Sequence, residues 1–253
     1  MLKAISRTDP IFKSDLMARD AIAFNVMLGI VNDTARYPNP RIFSNGKDCV
    51  MVNTSPDRQV IVWTADTFSD YEGLFDFLQK EFANNAPLAI ISKTAFYDFL
   101  KSKGRAEPAQ LQGVYKCDKL NDIAYVGKPD EAREDEAERI AELLRLFHKE
   151  TGEAVSATNY PFTVWRDTND TIVAIARNNL QAENHGRIGI VITAPEHRGK
   201  SYAKMLVHYM TGQIFAAGKR PLMFTDLSYE PSNRCYKAVG YELLDTIANY
   251  VIK

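Results

Sequence analysis

Arg198, Gly199, Lys200, Ser201, Tyr202 and Ala203 form the run RGKSYA between a strand-like segment, GIVIT, and a helix-like one. A helix N-terminus leaves backbone N–H groups without partners, and the helix dipole adds positive potential there. Phosphate or pyrophosphate suits such a place. Gly199 lets a ligand approach the backbone closely. Arg198 and Lys200 add charge, and an arginine can grip a phosphate by two parallel bonds. A polar turn that only caps an amphipathic helix explains the run equally well. The nucleotide fingerprints G-x-G-x-x-G and G-x-x-x-x-G-K-[ST] are both absent. Read by position alone, Tyr236 is a core aromatic on a short helix ahead of Gly240. Asn233 and Asp226 read as local caps, and His185 reads as a solvated turn residue. His148, His197 and His208 have no metal-ligand spacing, so no metal site is expected.

Two longer stretches carry more. RIGIVITAPEHRGKSYA (187–203) resembles the central motif of the GNAT acetyltransferase superfamily, in which a bulged strand runs into [QR]-x-x-G-x-[GA] at a helix start. It departs at Ser201, where the family has Gly. FTDLSYEPSNRCYKAVGYE (224–242) is similar to the second motif of one bacterial subgroup, with Asp226, Leu227, Ser232, Asn233, Tyr236, Gly240 and Tyr241 matching. Tyr229 stands where that subgroup usually has Asn. The resemblance covers about residues 121–253. It implies acetyl-CoA as cosubstrate, with the backbone of Val191, Ile192 and Thr193 holding the pantetheine arm. It implies the turn Arg198, Gly199, Lys200, Ser201, Tyr202, Ala203 and Lys204 on the pyrophosphate, with Asn233 close to the cofactor. Tyr236 would protonate the leaving thiolate, which a phenol with a pKa near ~10 can do at neutral pH. Ser201 is expected in the first helical turn at negative φ, where a Cβ is tolerated. A weakened but retained grip on CoA is expected from it.

The elements needed to position these residues are legible. In the second half, the acidic run Asp130–Glu138 reads as the solvated start of a helix. Ile140, Leu143, Leu144 and Phe147 form that helix's apolar stripe, and Gly152 ends it. PFTVWRD, TIVAIARNN and RIGIVITA read as strands. A helix from about Gly199 to Ala217, the strand PLMFTDL and the helix PSNRCYKAV follow. GYELLDTIANYVIK reads as two closing strands. In the first half, one helix is expected from Ser14 to about Thr34. A hairpin, CVMVNT and QVIVWTA, a helix over 69–85, the strand PLAIISK, a helix ending at Gly104 and a strand in LQGVYKCDKL come next. This is an α/β (α+β) chain with a mixed sheet. Its expected domains are residues 1–120 and 121–253. The C-terminal one is GNAT-like. The smaller N-terminal one echoes its order without a motif, as a degenerate copy would.

Composition bounds the rest. Of 253 residues 45% are hydrophobic, and the formal net charge is −1, so no basic field attracts nucleic acid or a membrane. Cys49, Cys117 and Cys235 stand far apart, which fits a reducing compartment. No secretory signal or membrane span is read, so a cytoplasmic monomer or homodimer is expected. The leading functional expectation is acetyl transfer from acetyl-CoA to a primary amine by direct attack in a ternary complex. The alternative is a CoA-binding or partner-binding module with weakened catalysis, suggested by Ser201 and Tyr229. Glu150 and Glu153 hint at a cationic acceptor. Glu183 and His185 precede the strand GIVIT, on its acceptor side.

Overall fold

The structure is a computed structural model. It describes residues 1–253 apart from 85–86, 153–154, 156–161 and 183, with 179–182 described by backbone alone. Glu153, Glu183 and most of the acceptor-side loop therefore lie outside the described residues. The chain forms two compact units: unit 1 is Met1–Val114, Asp226–Ser228 and Leu244–Lys253, and unit 2 is Tyr115–Thr225 and Tyr229–Leu243.

Unit 1 contains β1 (Lys3–Ala4), α1 (Asp15–Asp20), α2 (Asn25–Asn32), β2 (Arg41–Ser44), β3 (Cys49–Asn53) and β4 (Val60–Thr64). It continues with α3 (Tyr71–Glu81), β5 (Leu88–Lys93), α4 (Thr94–Ser102) and the start of β6 (Gln110–Cys117). The apolar runs CVMVN and VIVWT are buried along their whole length, as strands covered on both faces require. β2, β3 and β4 pair antiparallel, and β5 joins β4 in parallel. The core lies between these strands and α3 and α4, around Met51, Val62, Leu74, Leu78, Phe96 and Leu100. The expected single helix over 14–34 is broken between Asp20 and Asn25. Asp20 turns its carboxylate to the Trp63 indole N–H at 2.9 Å, and Asn25 donates its amide to the Ile22 carbonyl at 2.7 Å. Such side-chain bonds compete with the helical ladder.

Unit 2 contains β7 (Lys128–Glu131), α5 (Ala137–Thr151), β8 (Thr163–Arg166), β9 (Ile172–Ala182) and β10 (His185–Thr193). Then come α6 (Tyr202–Ala216), β11 (Arg220–Asp226), α7 (Glu230–Val239) and the start of β12 (Tyr241–Ile252). β7, β8, β9 and β10 pair antiparallel, and β11 joins β10 in parallel. The α5 stripe packs on Val164, Ile175, Ile190 and Ile192. The acidic run is not a solvated helix start. Asp130 belongs to β7, and Asp130 and Glu136 both bind Arg166, whose side chain is 2% exposed. The closing segment is one strand rather than two, because no Gly or Pro between Tyr241 and Ile252 folds it back.

The two units share one element order: strand, helical segment, three antiparallel strands, helix, parallel strand, helix, strand. The echo expected from the sequence is a structural repeat. From Leu244 onward β12 belongs to unit 1, where Ile247–Ile252 pair antiparallel with Lys93–Leu88 of β5.

Candidate active site

β10 supplies the floor of the site. Its side chains alternate between partly buried and buried, as one strand between two layers must. The ladder with β9 shifts register between Gly189 and Ile192, and Ile190 sits at φ +55°. A β-branched residue with left-handed φ is a true backbone outlier, and here it marks a bulge. On the other side, the ladder with β11 runs from His185↔Arg220 to Ile188↔Met223 and stops. Past that point β10 continues through Val191, Ile192 and Thr193 without pairing to β11. Backbone N–H and C=O groups there can serve an extended ligand arm, as an added strand would. The Thr193 hydroxyl is buried there without a hydrogen-bond partner.

The turn after β10 is shaped by its backbone. Ala194 donates to Val173 O at 2.9 Å, and a short 3-10 turn, Pro195–His197, redirects the chain. Gly199 lies at φ +77° and Ser201 at φ +67°, ψ 12°. The expectation of negative φ at Ser201 is thus wrong: α6 begins one residue later, and Ser201 is its left-handed N-cap. A left-handed residue followed by right-handed ones turns successive N–H groups into a concave anion nest. No side chain caps α6, so the N–H groups of its first turn stay open. A Cβ built on Gly199 meets nothing within 4 Å, so there is room over the turn.

The charged side chains of the turn divide. Arg198 folds back: its Nε donates to Thr193 O at 3.1 Å and its Nη2 binds Glu150 at 2.7 Å. It locks the turn to the strand end, and Glu150, expected on the acceptor side, is its anchor. Lys200 and Lys204 have no carboxylate partner among the described residues. Tyr202 is buried beside the His197 ring, and Ala203 is partly buried. Behind the turn, α6 packs on β10 so closely that a Cβ on Gly186 would meet Ile214 at 2.8 Å.

α7 packs on α6 and presents Tyr236 and Asn233, which are 6% and 8% exposed. Burial above all, then the neighbouring Cys235, pushes the Tyr236 phenol far above the usual tyrosine range, against a hydrogen bond from Ser232. Tyr236 therefore keeps its proton at neutral pH. Asn233 accepts from the Tyr115 hydroxyl at 2.9 Å and donates to the Tyr229 carbonyl at 2.9 Å. Its amide buckles α7 to β6. Tyr115 had no signal in the sequence, since it lies far upstream of the partner it holds. Cys235 is raised to about 11 by burial, partly opposed by the Lys204 charge. No group of three or more metal-ligating side chains occurs among the described residues.

Residues 166–250 match the family model described as FR47-like protein. A search of curated proteins returns no match. Among solved structures, the chain is similar to a GCN5-related N-acetyltransferase from Kribbella flavida, with a TM-score of 0.65 and 14% identity over 94% of this chain and 96% of that one. It is similar to another from Sphaerobacter thermophilus, with a TM-score of 0.64 and 13% identity over 99% and 94%. A tandem GNAT protein from the clavulanic acid biosynthesis pathway aligns with a TM-score of 0.58 and 10% identity over 99% and 97%.

Proposed function

The chain has the GNAT acetyltransferase fold, with an FR47-like segment over residues 166–250, and on that premise we propose that it is an N-acetyltransferase that moves an acetyl group from acetyl-CoA to a primary amine. The carrying observation is the uncapped N-terminus of α6 behind left-handed Gly199 and Ser201, beside the stretch where β10 parts from β11. The residues present fit acetyl-CoA. The N–H groups from Gly199 to Lys204, with the Lys200 and Lys204 ammonium groups, suit the pyrophosphate. The edge of Val191, Ile192 and Thr193 suits the pantetheine amides apart from the Thr193 carbonyl, which Arg198 holds, and the Thr193 hydroxyl offers an unused polar atom there.

Bound acetyl-CoA supplies an activated acyl thioester. The protein orients it, and a backbone N–H at the β10 bulge polarises the carbonyl as the amine attacks. Tyr236 gives its hydroxyl proton to the sulfur as the C–S bond breaks, and the proton shed by the attacking nitrogen returns through water to the phenol, so that thiol and amide both leave neutral. The acceptor must arrive as the free amine. We place the enzyme in the cytoplasm, as a monomer or homodimer; no helix of the described residues is long and apolar enough to cross a membrane.

A second reading, a CoA-binding module with weakened catalysis, is favoured by the depth of Tyr236 and the strain at Ser201. Thiol release over an amine panel separates the two. On the enzyme reading, Tyr236→Phe lowers kcat about 100-fold or more, the low end of what one positioned acid contributes, and leaves CoA affinity unchanged. No release with any amine despite CoA binding favours the module, whereas release that Tyr236→Phe leaves unchanged removes Tyr236 as the acid. No CoA binding by calorimetry removes both.

A further inference from the structure

We infer that each chain holds a single acetyl-CoA, because unit 1, which repeats the fold of unit 2, has filled its own copy of the site with its own side chains. The inference rests on the unit 2 site proposed above. The corresponding pieces are present in unit 1. β4 ends at Thr64 as β10 ends at Thr193, a turn follows, and a helix, α3, begins at Tyr71. β5 then returns in parallel beside β4, as β11 does beside β10.

The chemistry of the two turns is opposite. The unit 1 turn, ADTFSD (65–70), contains no Gly, Lys or Arg and two carboxylates, Asp66 and Asp70. Asp70 is the N-cap of α3 and accepts from Gly73 N at 3.0 Å. Its carboxylate occupies the helix N-terminus so fully that a Cβ on Gly73 would meet it at 2.5 Å. Glu72 adds a third negative charge in the first turn. A pyrophosphate there would meet like charge and an N–H already taken. In unit 2 the same helix end carries no side-chain cap and two unpaired lysines.

The parted strand ends differ in the same sense. The β4–β5 ladder stops at Val62↔Ser92. The next residue, Lys93, sends its Nζ to Asp20 at 2.6 Å and Asp66 at 3.0 Å, and Asp20 also accepts from the Trp63 indole. The Lys93 and Asp20 side chains are 13% and 9% exposed. Burial pulls the Lys93 ammonium down, but the two carboxylates outweigh it and hold its pKa above the usual lysine value. These groups satisfy one another, whereas in unit 2 the Thr193 hydroxyl is buried and unpartnered.

The test is a calorimetric titration of the full-length protein with CoA, paired with hydrogen-exchange mapping of bound against free protein. The expected result is one CoA per chain, with protection gained over 189–204 and in α7 and none over 60–73. Lys200→Glu with Lys204→Glu is expected to weaken that binding more than about 100-fold, the loss of two charge-assisted contacts. Asp70→Ala opens the helix end but leaves Asp66, Glu72 and the Lys93–Asp20 pair in place, so one site per chain remains. Two CoA per chain, protection over 60–73, or binding to unit 1 that survives the double lysine variant overturns the inference. No binding by the unaltered protein overturns the unit 2 reading itself, and the inference falls with it.

Discussion

Ser201 carries the largest departure from expectation at a single residue. A left-handed conformation costs a residue with a Cβ about 1–2 kcal/mol, and glycine avoids that cost at the expense of chain entropy. Ser201→Gly is therefore expected to stabilise the protein by about 1 kcal/mol, read as a Tm rise of about 2–4 °C for a chain of this size. The same change is expected to tighten CoA, since the hydroxymethyl group no longer crowds the anion. A lower Tm would refute the strain. The sequence placed Ser201 in the first turn of a helix starting at about Gly199 and so could not give its φ, because α6 begins only at Tyr202. Tyr236 permits a second expectation. Burial raises its pKa, so its proton is retained as pH rises. Turnover should climb with pH as the amine loses its proton and should not fall below pH ~10 through ionisation of Tyr236, given that an unperturbed tyrosine titrates there. An alkaline loss centred near pH 8, absent in Tyr236→Phe, would contradict this. Arg198 could not be judged from sequence. Its charge suits a phosphate, but Glu150 and the Thr193 carbonyl hold it.

Elements with a strong apolar period were legible; those set by distant partners were not. α5 and β10 follow their patterns because each buries one clear face, whereas β8 and β9 are legible as β-rich apolar runs whose successive residues are buried. β7 did not, since Lys-Pro-Asp-Glu has neither alternation nor β-branched residues, and its proline suits only an edge. That strand exists to meet Arg166. The guanidinium binds Glu136 through both oxygens at 2.7 and 2.8 Å and Asp130 at 2.8 Å. Hydrogen bonds from Arg166 hold both carboxyls below their ordinary range. A carboxyl with a lowered folded pKa contributes stability that is present above its unfolded value, near ~4, and lost as pH falls through the folded value. Glu136→Gln should therefore cost about 2 kcal/mol at pH 7, the scale of a lost hydrogen bond to charge. At pH 3 it should cost much less. Urea midpoints at the two pH values measure the difference, and an equal loss at both would show that the carboxylate charge is irrelevant there. The bulge at Ile190 was also hidden, because GIVIT reads as an unbroken strand; only the resemblance suggested it.

On the scale of the whole molecule, one design is used twice with different outcomes. Unit 2 keeps its helix end open and its strand edge free, while unit 1 closes both with Asp70, Lys93 and Asp20. The sequence showed the repeated order but not its completeness, because the last strand of unit 1 is not contiguous with the rest of it. β5 pairs with Ile247–Ile252, and the chain of unit 2 lies between the two partners. Unit 1 therefore cannot finish folding as it leaves the ribosome. Its β5 edge waits, unpaired, until unit 2 has been made, and an open strand edge recruits other strands. A fragment of residues 1–114 expressed alone should aggregate or stay partly unfolded, and a peptide of residues 244–253 added during refolding should raise its soluble yield. A fragment that is monomeric and cooperatively folded without the peptide would show that the late strand is dispensable. During synthesis, then, the half without a site depends on the half that has one.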